Sequence, residues 1–145
     1  LIIVLIVLTI LGSALMVVWP GDNVSLQAEA QQLANDLRYI QFLSMSQDSS
    51  YRVNFSSDQY TFTDLSGVSA LLHPVTESNI ATLGTGMILS TTGLPNNYLV
   101  FDQQGIPYTD TVGTELSSNA TITLTASSGS IAVTVSPETG LATIS

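Results

Sequence analysis

Few side chains in this 145-residue chain have the type and spacing to do chemistry. The one histidine, His73, is the first to consider, because its imidazole changes charge near neutral pH and can serve as a general acid or base. It precedes Pro74 in a stretch that reads as loop, and no nearby carboxylate is read as its partner. An imidazole without a partner to orient it is a weak acid–base group, so His73 is expected not to be catalytic. Asp102 and the group Asp110/Glu115 lie in loops, where carboxylates can ligate calcium. The D-x-D-x-D-G spacing of a calcium loop is missing, and they are expected to be solvated surface acids. No G-x-S-x-G elbow, H-E-x-x-H, P-loop or dinucleotide glycine fingerprint occurs, and Gly84-Thr85-Gly86 lacks the third glycine. Cysteine is missing altogether, which excludes disulfides and thiolate metal sites. The expectation is therefore no catalytic residue, no metal, no cofactor and no enzyme. Asn23, Asn54 and Asn119 open N-x-[ST] triplets, a pattern that arises by chance in a chain this rich in Ser, Thr and Asn.

The charge balance narrows the partners. The formal net charge is −9, and Arg38 and Arg52 are the only basic residues apart from His73. Phosphate recognition needs clustered Lys and Arg, so direct nucleic-acid binding is disfavoured, and an anionic membrane surface would repel the body. Charged residues make up 9% of the chain, against about 25% in typical domains. The polar surface is thus built on hydroxyls, which suits an extracellular β-rich body.

What positions everything else is the opening run. Leu1 to Val18 carries no charge, and Thr9 and Ser13 are its only polar side chains. As a helix it would extend about 27 Å, close to the hydrocarbon core of a bilayer. Leu1, Ile2, Ile3, Val4, Leu5, Ile6, Val7, Leu8, Ile10, Leu11, Gly12, Leu15, Met16, Val17 and Val18 would surround it with apolar surface. Such a helix must be buried all round, in lipid or among copies of itself. No basic segment precedes it, as a secretory signal would require. Beginning with Leu in mid-run, the chain reads as having a processed or shortened N-terminus. Trp19 follows at the place of an interfacial aromatic, and Pro20-Gly21 predicts a break across residues 19–24.

A second helix is expected over residues 25–47. Leu26, Ala30, Leu33, Leu37, Ile40 and Ser44 recur at steps of three and four and define one face, which Phe42, Leu43 and Met45 would widen. Glu29, Gln31, Gln32, Asn35, Asp36 and Gln41 would lie mainly on the other side. Residues 48–145 read as one β-rich domain. Tyr51–Phe55 and Gln59–Thr63 alternate as a hairpin with Tyr51, Val53, Phe55, Tyr60 and Phe62 facing inward. Short strands are expected at 68–72 and 79–83, and clearer ones at Met87–Ser90 and Tyr98–Phe101, with Leu94–Asn97 turning between them. Ile106–Tyr108 should lie at an edge because of Pro107. Ala120–Ala126 and Ser130–Ser136 alternate as a second hairpin, Gly140 suits a left-handed turn position, and Leu141–Ile144 closes the domain.

This order of parts resembles the bacterial type IV pilins and type II secretion pseudopilins. Leu1–Leu15 is similar to the apolar stretch just after the prepilin-peptidase recognition segment of those proteins; the glutamate that serves their assembly would precede Leu1. The body resembles the GspH/FimT group, which includes minor pilins of the MSHA type. The resemblance rests on Leu33–Tyr39, Tyr51–Phe55, Val100–Pro107 and Val133–Gly140. It implies an α+β pilin fold, with a long N-terminal helix, interrupted near Pro20, packed on a C-terminal antiparallel β-sheet body. It implies a structural subunit of a pilus or pseudopilus filament, self-assembling through residues 1–18 with copies of itself or other pilins. Such a subunit is held in the inner membrane before assembly and then stands in an extracellular pilus or periplasmic pseudopilus. Some FimT-like pilins serve DNA uptake through basic residues, and this chain has no basic patch. The competing expectation is a membrane-anchored β-domain that binds a ligand or adhesion target.

Overall fold

The computed structural model describes residues 22–145, with side chains from Ser25 onward. One helix, α1 (Asp22–Gln47), leads into nine strands: β1 (Tyr51–Phe55), β2 (Gln59–Asp64), β3 (Ile80–Thr82), β4 (Ile88–Thr92), β5 (Tyr98–Phe101), β6 (Pro107–Tyr108), β7 (Ala120–Ala126), β8 (Gly129–Val135) and β9 (Ala142–Ile144). The helix starts three residues before the expected Ser25, so Asp22–Val24 belongs to α1 and not to the break. Leu1–Val18 and the break residues Trp19, Pro20 and Gly21 lie outside the described residues.

The helical stripe packs as its spacing requires. Leu26, Ala30, Leu33, Leu37, Ile40 and Ser44 are all buried. Phe42 and Met45 are not: they stand 63% and 46% exposed. Phe42 is two residues from both Ile40 and Ser44, so at 3.6 residues per turn it sits nearly opposite the buried face. Asp36, expected among the polar residues outside, is buried.

The strands form two antiparallel sheets, ordered β3-β2-β1-β5-β6 and β4-β7-β8-β9. Both hairpins form with the expected inward residues; Val53, Phe55, Tyr60, Phe62, Ile122, Leu124, Val133 and Val135 are buried, while Tyr51 and Ile131 only border the core. Pro107 stands on an edge strand. Three expectations change. Residues 68–72 make only an isolated bridge, Thr63 with Ala70. Gly129 belongs to β8, which leaves a two-residue hairpin turn after Ala126. The turn at Leu94–Asn97 does not join paired strands: β4 and β5 lie in different sheets.

The sheets are joined through the β1–β2 turn, where Leu83 donates its N–H to Asp58 O at 2.9 Å and Leu89 donates to Ser57 O at 2.8 Å. The core fills the space between α1 and the inner faces of both sheets. Among the described residues, no helix is long and apolar enough to cross a membrane.

Candidate functional site

Three of the polar side chains by which helix α1 meets the sheets and loops are Arg38, Gln41 and Asp36. Arg38 and Gln41 are three residues apart and so share a side of the helix. The Arg38 Nε–H donates to the Ala142 carbonyl on edge strand β9 at 2.9 Å. Gln41 Nε2 donates to Gly105 O at 2.9 Å and to Thr139 O at 2.6 Å, tying two loops to one amide. These loops close on turns that need glycine. Gly105 and Gly140 have φ of 79° and 65°. A Cβ on Gly140 would fall 2.6 Å from Gly105 O. The stretches ending Gln104-Gly105-Ile106-Pro107 and Pro137-Glu138-Thr139-Gly140 therefore meet under one helix residue.

The third side chain, Asp36, changes the reading of His73. Tyr60 on β2 donates its O–H to Asp36 Oδ2 at 2.7 Å, and His73 Nε2 lies 3.3 Å from Asp36 Oδ1. The backbone N–H of Val75 donates to His73 Nδ1 at 3.3 Å. That ring nitrogen is the acceptor, so Nε2 carries the proton and donates to the carboxylate. His73 thus has a carboxylate partner, and it comes from α1, far away in the sequence. Tyr39 stands edge-on to the imidazole at 5.1 Å between ring centroids, and Phe62 lies at 6.1 Å. Burial raises the Asp36 carboxyl above its ordinary value; the hydrogen bond from Tyr60, the electrostatic attraction of His73 and a hydrogen bond from Gln32 offset this in part. Burial also raises the Tyr60 phenol, followed by the Asp36 charge, the hydrogen bond to it and the charge of Glu29. The imidazole, phenol and carboxylate are engaged with one another, which fixes the 73–78 loop to α1.

The loop acids singled out in the sequence cap their own turns. Asp102 Oδ1 accepts the N–H groups of Gln104 and Ile106. Asp110 Oδ1 accepts those of Val112, Gly113 and Thr114; the Thr114 side chain first, and then these N–H groups, hold its pKa below the usual carboxylate value. Glu115 bridges strand-fashion to Tyr108. The described residues hold no group of three or more His, Cys, Asp or Glu that could bind a metal. Asn54 is engaged with Arg52, Thr61 and Thr63. The apolar residues from Leu1 to Val18 and the break residues Pro20 and Gly21 lie outside the described residues, so they are not part of this geometry.

No protein-family model matches the chain, and no characterised protein matches it in sequence. Solved structures do match. The minor pseudopilin EpsH of the Vibrio cholerae type 2 secretion system superposes with a TM-score of 0.63 at 16% identity, over 83% of this chain and 96% of that one. A second EpsH structure gives 0.62 at 14% identity, over 83% and 95%. The Pseudomonas aeruginosa type IV minor pilin FimU gives 0.59 at 14% identity, over 83% and 92%. The chain has the α+β pilin fold that these proteins share.

Proposed function

We propose that this chain, with its pilin fold, is a structural subunit of a type IV pilus or a type II secretion pseudopilus, and of the minor class. The observation that carries the reading is the joining of two parts. A pilin body with an amphipathic α1 comes after Trp19-Pro20-Gly21 and an uncharged run from Leu1 to Val18. Before assembly that run would hold the subunit in the inner membrane. On assembly it would exchange lipid for neighbouring helices. Lipid tails are as apolar as leucine, so the exchange must be favoured by close van der Waals packing, for which Gly12, Ser13 and Ala14 offer small surfaces. Pro20-Gly21 would let the chain adjust the body against the filament core. Minor status is supported by the likeness to EpsH and FimU, both minor subunits. In this reading Asp36, His73 and Tyr60 serve to pack the 73–78 loop against α1.

The test is Leu8→Asp in the full chain. A carboxylate in the middle of the run should abolish recovery of the subunit with assembled filaments while leaving the body folded. Unchanged recovery would overturn the proposal. Counting copies per filament tests the minor assignment: a few copies per filament support it, and a regular array along the filament contradicts it.

A further inference from the structure

Among the described residues, no helix lies on the outer face of the five-stranded sheet. Its inner residues pack beneath α1, whereas the alternation of the strands turns Arg52, Asn54, Thr61 and Tyr98 outward, half-buried. Two loops rim this face, 64–70 and 109–115. Each is held by one carboxylate: Asp64 accepts the Ser66 hydroxyl at 2.7 Å and the N–H groups of Val68 and Ser69 at 3.2 Å, and Asp110 caps the other loop. Between the rims lies an open cleft of about 900 Å³, floored by Tyr98, with Tyr51 at its edge, and continued by a recess of about 200 Å³ beside Tyr108. Leu65, Ser50 and Thr111 line both. The Arg52 guanidinium lies 3.8 Å from the Tyr98 ring centroid and is steadied by Asn54. Held tyrosines and a held arginine are the side chains that carry protein–protein binding, and ordering them beforehand lowers the entropy cost of docking.

Charge identifies the occupant. Asp48 and Asp64 line the cleft and Asp102 and Asp110 the recess, against the single cation Arg52. A second copy of this chain cannot supply the complement. It has a net charge of −9 and no lysine, and its Arg38 is engaged with Ala142 and Asn35. We infer that this sheet face docks a different protein chain that presents Lys or Arg side chains to the carboxylate rims and apolar surface to the tyrosine floor. The inference does not depend on filament assembly.

The test uses the full chain in zwitterionic detergent micelles, labelled with 3-fluorotyrosine. Two of its five tyrosines lie in the cleft and recess (Tyr98, Tyr108) and two on the helix side (Tyr39, Tyr60), while Tyr51 borders the cleft with its hydroxyl bonded to Gln47 on α1. A short peptide alternating lysine and leucine is titrated in, with a glutamate–leucine peptide and a neutral glucan oligosaccharide as comparators. The lysine peptide should move the Tyr98 and Tyr108 signals, leave Tyr39 and Tyr60 in place and lose affinity as salt is raised. The variant Asp48→Asn keeps the loop caps and should weaken binding by about twofold or more. Equal shifts at all five tyrosines, an equal response to the glutamate peptide, or a response to the glucan in place of the lysine peptide would overturn the inference.

Discussion

Gln41 on α1 donates a hydrogen bond to the carbonyl oxygen of Thr139, 2.6 Å away across 98 residues of sequence. The same amide reaches Gly105, so one helix side chain sets the spacing of two loops against the core.

Gln41→Ala should therefore destabilise the body by about 1–3 kcal/mol, the usual range for hydrogen bonds whose partners are left unmet. Gly140→Ala should cost more, of the order of 3 kcal/mol, because it adds left-handed strain to a Cβ placed 2.6 Å from Gly105 O. Urea unfolding of both variants gives the ranking; an unaffected Gly140→Ala would refute the close approach.

Asp36 predicts a pH dependence. Its pKa is raised in the folded state, so the folded protein binds this proton more tightly than the unfolded chain does. The stabilisation from that proton is fully present below the ordinary Asp value of 3.8 and is lost as pH rises through the raised one. Asp36→Asn should flatten this part of the stability curve. It also leaves an amide N–H facing either Tyr60 O–H or His73 Nε2–H, a donor–donor contact, and should cost about 1–3 kcal/mol at neutral pH. Denaturant midpoints measured from pH 4 to 7 for both proteins test the slope; identical slopes would count against the account.

His73→Ala should loosen a loop and spare the fold. It removes the contact with Asp36 and the acceptor for the Val75 N–H. Amide exchange should quicken at Val75 and Glu77 while β7 and β8 keep their protection. A global loss of protection would show that the contact does more than hold residues 73–78.

Much of this was legible before folding. The stripe from Leu26 to Ser44 and the alternation of Tyr51–Phe55 and Ala120–Ala126 are local periodicities, and local periodicity decides which face is buried. The cluster at Asp36 was not legible, because its partners Tyr60 and His73 arrive from β2 and a distant loop. One signal was present: Asp36 stands three residues after Leu33 and one before Leu37, on the border of the apolar stripe. The separation of β4 from β5 was hidden for the same reason, since β4 pairs with β7 far along the chain. Phe42 and Met45 misled by type, being apolar residues at exposed angular positions.

Calcium should leave the thermal midpoint of the body unchanged. Asp102 and Asp110 direct one carboxylate oxygen at backbone N–H groups of their own turns, and calcium, which needs several oxygen ligands at once, would have to displace those bonds. A midpoint that rises with added calcium and falls with chelator would reveal a site these turns do not suggest.

The central claim is that Leu1–Val18 packs against the equivalent helices of other subunits. The most direct measurement is photo-crosslinking in intact cells from a photoreactive residue placed at Leu8. The account predicts covalent adducts with other pilin-like subunits, joined within their own apolar N-terminal segments, and their loss in the Leu8→Asp background when the probe is moved to Leu5. Adducts with lipid alone, from a subunit that stays monomeric in the membrane, would contradict it.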